Sequence, residues 1–270
     1  MLVSNTFWVL ILAVFPIIMY SYLVYFLVPK NFISLKRARR YLVAGFLSPM
    51  LISLFYFLFP NWGDPQSSSI IMSLLILSFV QIGILEESAK FATFLWVSKE
   101  RTSEKYDLPI ATMFYSMMSA VGFAITENIV YLIRAQRQII EIQNIGIDLS
   151  KELINIAEMR SVTSVIAHMI CGVIMGYFLA KAHEINYEKT NSKFKKYKTI
   201  VKGIVFAALF HGAYDYNLLL ENNLYQIPFA IFILVFGLII GRFIINELIM
   251  KSINKKQKQT INIKSNEIKE

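Results

Sequence analysis

QIGILEESAK, residues 81–90, decides the fold, because it places two adjacent carboxylates inside an apolar segment of residues 70–97. An ionisable side chain at the depth of a bilayer costs roughly 2.5–3.5 kcal/mol, so such groups usually face the protein interior and serve a function. On a helix, Lys90 lies four residues after Glu86 and three after Glu87, so its ammonium can neutralise one carboxylate. The other carboxylate points about 100° away. The stretch therefore predicts a membrane helix that carries a functional site.

The composition of the chain also predicts a membrane protein. Of its 270 residues, 56% are hydrophobic and 17% are charged, and the charged residues lie mostly between long apolar runs. This pattern predicts an all-α, polytopic transmembrane helical bundle in a lipid bilayer and not a soluble domain. The net charge of +9 arises mainly from Lys and Arg in a few connecting segments, so no nucleic-acid partner is expected. The single cysteine, Cys171, excludes an intramolecular disulfide and is expected to be a small buried apolar residue.

About seven apolar runs are long enough to cross a bilayer. They are residues 7–28, 41–59, 70–97, 108–133, 162–180, 200–220 and 227–250. No basic segment precedes the first run, which is interpreted as a membrane helix and not as a cleaved signal peptide. The connection 134–160 is a candidate for an extra interfacial helix. Residues 1–250 are expected to form one transmembrane domain with its functional core at about 70–220. The Lys-rich segment 251–270 is expected to be a cytoplasmic tail, disordered beyond Lys255.

The distribution of Lys and Arg predicts the orientation of these spans. Residues 30–40, 181–202 and 251–269 are strongly basic, whereas residues 60–69 and 221–226 contain no Lys or Arg. Because basic loops stay in the cytoplasm, the N-terminus is expected outside and the C-terminus inside.

Two pairs of glycines, each separated by three residues, predict where helices approach one another closely. They are Gly172 with Gly176 and Gly237 with Gly241. Small residues at this spacing form one face of a helix and let the backbone of a neighbouring helix come near.

Four of the predicted spans carry polar side chains that a lipid-facing surface would not tolerate. They are Glu86, Glu87 and Lys90 on the third span, Glu127 and Asn128 on the fourth, His168 on the fifth, and His211 and Asp215 on the sixth. At a rise of 1.5 Å per residue, all of them lie within ~10 Å of the middle of their spans. Their similar depth predicts a single buried polar site.

These residue types are those of a metal-assisted hydrolase. His168, His211 and Glu127 would make a His₂Glu set for zinc that leaves a fourth coordination position open to water. Zinc lowers the pKa of such a water towards ~7 and polarises a scissile carbonyl. Glu86 or Glu87 is the expected general base. No HExxH motif is present, so the chain is not an ordinary zincin.

Three further residues of the predicted site have supporting roles. Asp215 is expected either to orient His211 as a hydrogen-bond acceptor or to face the site itself, since the two residues lie four apart on one helix. Asn128 is expected to donate a hydrogen bond to the developing oxyanion. Lys90 is expected to form a structural ion pair with Glu87.

The ordered motifs of the chain resemble those of the PrsW family of intramembrane proteases. The motifs are EESAK at 86–90, FAITEN at 123–128, the intramembrane His168 and HGAYD at 211–215. That family belongs with the type II CAAX prenyl proteases and the bacteriocin-immunity-type membrane proteases. Glu127 stands where the wider group has a histidine, which is the PrsW-like variant. The resemblance extends from residue 70 to about residue 220.

The resemblance implies an intramembrane endopeptidase of the bacterial cytoplasmic membrane. Its substrate would be a single-pass membrane anti-sigma factor, cut on the extracytoplasmic side in the first step of regulated proteolysis (site-1 cleavage). Both a zinc-dependent mechanism and a metal-free one, in which Glu and His activate water, are open. By analogy with the first motif of the wider group, Glu86 is favoured as the base, with Glu87 paired to Lys90.

Other functions fit the same residues. A CAAX-type or bacteriocin-type protease would process a different membrane peptide at the same site. An ion or metal transporter would use the buried carboxylates and histidines as a permeation path, but the internal repeat typical of that class is not found in the sequence. A scaffold or immunity protein would keep the site without turnover, yet none of the motif residues is missing.

Overall fold

A computed structural model describes residue 11 and residues 28–60, 62, 69–99, 108–141, 149–187, 193–220 and 226–267. All regular secondary structure in these residues is helical, which confirms the predicted all-α class. The elements are α1 (Leu35–Leu58), α2 (Ile70–Leu75), π1 (Ile76–Ile84), α3 (Leu85–Lys99), α4 (Pro109–Glu141), α5 (Leu149–Tyr187), α6 (Lys193–Leu219) and α7 (Gln226–Glu267). A short 3₁₀ turn, Lys30–Phe32, precedes α1. The segments α2, π1 and α3 form one continuous helix with a π-helical middle.

Five helical segments of the described residues are long and apolar enough to cross a membrane. They are Leu35–Leu58, Ile70–Ser98, Pro109–Ala135, Val162–Ile185 and Ile227–Ile261. The chain is therefore a multi-pass membrane protein.

The other two predicted spans have different outcomes. The span 7–28 lies outside the described residues, apart from residues 11 and 28. The predicted span 200–220 is helical as part of α6, but α6 is not among the five candidates, and its polar His211, Asp215 and Asn217 lower its hydropathy. The count of seven spans and the outside position of the N-terminus remain predictions.

One connection and the C-terminal segment differ from the sequence-based expectation, because helices continue into both. In the connection 134–160, α4 runs to residue 141 and α5 begins at residue 149, so the described part continues membrane helices instead of forming a separate interfacial helix. The expected disordered tail is helical as far as residue 267, as the end of α7. Neither 149–171 nor 251–267 contains the Gly or Pro that would end a helix. The tail is also anchored, because the Ser252 hydroxyl accepts a hydrogen bond from the backbone N–H of Ile110 at 3.0 Å.

The core of the bundle lies around α4, which packs against α1 on one side and α5 on the other. The first predicted glycine pair makes the α4–α5 contact possible. A Cβ atom at Gly172 would lie 2.7 Å from the Cα of Met117, and one at Gly176 would lie 2.5 Å from the Cα of Met113. These separations are too short for any larger residue, which confirms the predicted close approach at this pair.

The second glycine pair differs between its two positions. A Cβ atom at Gly237 on α7 would lie 2.6 Å from the ring of Phe210, a side chain that would have to shift to admit it. At Gly241 the nearest atom is a methyl carbon of Val173 at 3.9 Å, an ordinary van der Waals distance. The predicted close approach therefore holds at Gly237 and not at Gly241.

The π-helical segment π1 leads directly into the glutamate pair and packs against α6. Two glycines allow this contact: a Cβ atom at Gly83 would lie 2.7 Å from the carbonyl oxygen of Ala208, and one at Gly212 would lie 2.9 Å from the Cα of Phe79. Widened helical turns of this kind occur often at functional sites. Here π1 fixes the position of α3, and thus of the glutamates, relative to the histidine on α6.

Candidate active site

The predicted polar residues come from four helices that meet inside the bundle. The glutamate pair and Lys90 lie on α3, Glu127 and Asn128 on α4, His168 on α5, and His211 and Asp215 on α6. Direct contacts join α3 to α5 and α6, and join α5 to α4. The charged and imidazole side chains are therefore in contact with one another, and their role as one functional site remains a prediction.

Lys90 lies at the centre of the cluster. Its Nζ donates to Oε1 of Glu87 at 2.7 Å and lies 3.0 Å from Nδ1 of His168. The ammonium also lies 4.0 Å above the ring of Phe123, a favourable cation–π distance. The Lys90 and Glu87 side chains are 6% and 2% exposed, so this is a buried ion pair. The contact is the one expected from their spacing, and it extends to His168, which the spacing did not indicate.

The contacts of His168 fix its tautomer. A lysine ammonium can only donate hydrogen bonds, so Nδ1 of His168 accepts from Lys90 and the ring proton lies on Nε2. This Nε2–H donates to Oε2 of Glu127 at 2.6 Å. His168 is 1% exposed and the Glu127 side chain is 28% exposed. His168 therefore connects the buried ion pair to a carboxylate at a more open position.

His211 has the opposite arrangement. Its Nδ1 donates to Oε1 of Glu87 at 3.0 Å, because a carboxylate can only accept. Its Nε2 lies 3.3 Å from Oδ2 of Asp215 and 3.8 Å from Oε2 of Glu86. Glu87 therefore orients His211, the role that was one of the two expected for Asp215. Asp215 lies on the other side of the ring and faces the site, which was the second role expected for it. A ring nitrogen beside two carboxylates is stabilised when a proton or a metal cation lies between them.

Glu86 differs from Glu87 in its hydrogen bonds. Its Oε2 is buried and accepts no hydrogen bond from the residues that the structure describes. The nearest positive or imidazole groups are Nζ of Lys90 and Nε2 of His211, both 3.8 Å away. An anionic oxygen without a hydrogen bond in an apolar interior is a strong acceptor for a water proton or a metal ion.

Zinc fits the chemistry of this donor set. One ligand atom from each of Glu86, His168 and His211 lies within 4.8 Å of the others, and two imidazoles with one carboxylate leave a fourth position for water. This set contains Glu86 in place of the predicted Glu127, whose oxygen is bound to His168; ligation by Glu127 remains a prediction. Glu86 can bind a metal as it stands. A metal at His211 would take the place of the proton on Nε2, and His168 would first have to release its Nε2–H from Glu127.

Two neighbours of the site were not predicted to take part in it. Cys171 is completely buried, and its Sγ lies within 4.8 Å of ligand atoms of Glu87 and His211. It follows His168 by three residues on α5, a spacing that places both on one helical face and could have indicated it. Phe123 packs against Lys90 and lies with its ring centre 5.2 Å from that of His168. Asn128 is fully buried, and its role as an oxyanion donor remains a prediction.

The fold and the site together define a class: a multi-pass helical membrane protein that buries a cluster of glutamates and histidines inside its bundle. The model of the PrsW family of intramembrane metalloproteases matches residues 37–241, which is more than half of the chain. The chain belongs to the PrsW family, as its motifs predicted, and is a multi-pass protein of the cell membrane.

Three curated relatives support the same assignment, and each is named Protease PrsW. The protein of Oceanobacillus iheyensis is 33% identical over 146 residues, which cover 54% of this chain and 56% of that protein. The protein of Clostridioides difficile is 27% identical over 198 residues, 72% of each chain, and that of Bacillus subtilis is 30% identical over 163 residues, 60% of this chain and 63% of that protein. The match thus spans little more than half of the first relative. No solved structure matches the chain.

Proposed function

We propose that this protein is an intramembrane endopeptidase that hydrolyses a peptide bond in a membrane-protein substrate. The observation that carries the proposal is the pairing of Oε2 of Glu86, buried and without a hydrogen bond from the described residues, with Nε2 of His211 at 3.8 Å. A carboxylate in this state is suited to remove a proton from an attacking water. The names of the relatives support the same reaction.

The roles of the individual residues follow from their contacts. Glu86 acts as the general base and then returns the proton to the leaving amine. Glu87 holds His211 through Nδ1, so that Nε2 faces the reacting groups. Asp215, 3.3 Å from the same Nε2, stabilises positive charge on that ring. Asn128 is assigned to the developing oxyanion on its amide chemistry.

We propose zinc as the cofactor, held by His211 together with His168 or Glu127, so that Glu86 beside them stays free to act as the base. When bound, zinc would supply Lewis-acid polarisation of the scissile carbonyl and a water of lowered pKa. Lys90 contacts Nδ1 of His168, and Glu87 contacts Nδ1 of His211. These contacts would hold both imidazole rings in place while their Nε2 atoms face the metal.

The proposed substrate is a single-pass membrane anti-sigma factor, cut on its extracytoplasmic side in a site-1 cleavage. The motif resemblance to the PrsW family supports this choice. A membrane-embedded site also favours a substrate that shares the bilayer, because its polar groups lie on helices long and apolar enough to span one.

Cleavage by the purified full-length chain tests the proposal. Glu86→Gln and His211→Gln should each reduce cleavage of a co-reconstituted single-pass anti-sigma factor by about 10²-fold or more, because each removes a group at the reacting atoms. Glu247→Gln is the matched control, since Glu247 lies on α7 in an exposed pair with Lys251. Full turnover in both site variants would exclude the proposed roles.

Elemental analysis of the same preparations tests zinc separately. About one zinc per chain, lost in His211→Gln and retained in Glu247→Gln, is expected if the proposed ligands hold the metal. Cleavage by well-folded protein that contains no metal would instead establish water activation by Glu86 without zinc.

A further inference from the structure

We propose that a single water molecule binds behind the Glu87–Lys90 ion pair, in a small cavity between α3, α4 and α5, and connects the pair to Ser119 on α4. This site is distinct from the reacting side of the cluster, and the proposal does not depend on the proposed peptidase function.

The cavity has the size of one water molecule. Its volume is about 10 Å³, at the lower limit for a single ordered water. Polar side chains line it from two helices, with Glu87 and Lys90 on α3 and Ser116 and Ser119 on α4. Gly172 on α5 belongs to the lining as well, so the close contact between α4 and α5 also bounds the cavity.

Ser119 supplies the independent observation. Its Oγ is buried and has no hydrogen-bond partner among the described residues, and the whole residue is only 2% exposed. Buried hydroxyls are almost always hydrogen-bonded, to protein or to ordered water. A water in the adjoining cavity would satisfy this hydroxyl.

Glu87 offers the second contact. Lys90 and His211 both donate to its Oε1, which leaves Oε2 available as an acceptor. A water that donates to this carboxylate and exchanges a hydrogen bond with Ser119 has two partners, and Ser116 or Lys90 can provide a third. Buried waters typically make two to four such bonds.

The charges around the cavity favour a neutral ligand. The ammonium of Lys90 and the carboxylate of Glu87 lie 2.7 Å apart and largely neutralise each other, so neither a cation nor an anion gains a net attraction there. A dipole that both donates and accepts can satisfy both groups together with the serine hydroxyl. The volume leaves no room for a molecule larger than water.

The thermal unfolding midpoint of the full-length chain in detergent tests the site by the sign of its change. If water links Ser119 to Glu87, Ser119→Ala removes a hydrogen bond and should lower the midpoint. In a dry cavity the same change removes an unsatisfied buried hydroxyl and should leave the midpoint unchanged or raise it. Ser48→Ala is the matched control, because the Ser48 hydroxyl is equally buried but donates locally to the carbonyl of Gly45 at 2.7 Å. A midpoint of Ser119→Ala at or above that of the parent chain would overturn the proposal.

Radiolytic footprinting provides a direct readout. Hydroxyl radicals generated from a bound water oxidise the side chains beside it, and methionine is readily converted to its sulfoxide. Met175, 4% exposed, lines the cavity, whereas Met118, 7% exposed, lies outside its lining. Several-fold faster oxidation of Met175 than of Met118, lost when Ser119→Val fills the cavity, is expected. Equal slow oxidation of both methionines in the parent chain would refute the water site.

Discussion

The buried ion pair of Glu87 and Lys90 allows a quantitative prediction for the variant Lys90→Met. Methionine keeps most of the length and apolar volume of the lysine stem but removes the ammonium. Glu87, 2% exposed, would then lose its donor at 2.7 Å and remain as a carboxylate in the bundle interior. Removal of one partner from a buried pair costs about 3–5 kcal/mol, so the variant should lose that amount of unfolding free energy.

A double-mutant cycle isolates the pair from other effects of the substitution. In Lys90→Met combined with Glu87→Gln, residue 87 no longer carries the charge that Lys90 compensated, so the double variant should be more stable than Lys90→Met alone. Lys251→Met is the matched control: Lys251 forms a pair with Glu247 at 2.8 Å, but both side chains are more than a third exposed. An exposed pair is worth about 0.2–1 kcal/mol, so this control should change little.

The assay is denaturant unfolding in mixed micelles, followed by helical circular dichroism for Lys90→Met, Glu87→Gln, the double variant, Lys251→Met and the parent chain. We expect a large loss of stability for Lys90→Met, partial recovery in the double variant and a small loss for Lys251→Met. If Lys90→Met lost no more stability than Lys251→Met, Lys90 would not compensate a buried charge and the described arrangement of the site would be wrong.

Three further predictions concern the packing and the roles of single residues. Gly172→Ala should destabilise the bundle by about 1–3 kcal/mol, because its Cβ would lie 2.7 Å from the Cα of Met117. Gly241→Ala, whose Cβ would have its nearest neighbour at 3.9 Å, should change stability by less than about 0.5 kcal/mol in the same unfolding assay. Ser252→Ala should cost about 1–3 kcal/mol, since the backbone N–H of Ile110 loses its buried acceptor; unchanged stability would show that this contact does not hold α7 against the start of α4. His168→Gln keeps an N–H donor for Glu127 and should therefore retain more cleavage activity than His211→Gln. Equal loss of activity and of zinc in the two variants would instead identify both rings as metal ligands.

The positions of charged residues in apolar segments were sufficient to predict the class of protein and the members of the site. Carboxylates and imidazoles are expensive in hydrocarbon, so Glu86, His168 and His211 could be expected in one interior site before any fold was known. The motif order likewise predicted the family. The glycine spacing at 172 and 176 predicted a close helix contact, because only a bare backbone allows it.

The ends of helices were harder to predict from the same pattern. Hydropathy falls at the membrane surface, but a helix continues until a residue or a lost contact ends it. The α5 helix therefore begins well before residue 162, and α7 continues through the Lys-rich segment to residue 267.

The sequence by itself determined which polar groups must be buried, and the tertiary structure decided which atom of each group meets which partner. Spacing on one helix indicated the pair Glu87–Lys90, but the contact of Lys90 with His168 spans 78 residues and depends on how α3 and α5 pack. The same packing gives Nδ1 of His211 to Glu87 and leaves Nε2 to Asp215 and Glu86. Helical periodicity fixes the face on which a side chain lies, whereas hydrogen bonds between helices depend on their relative rotation and height, which only the packed bundle sets.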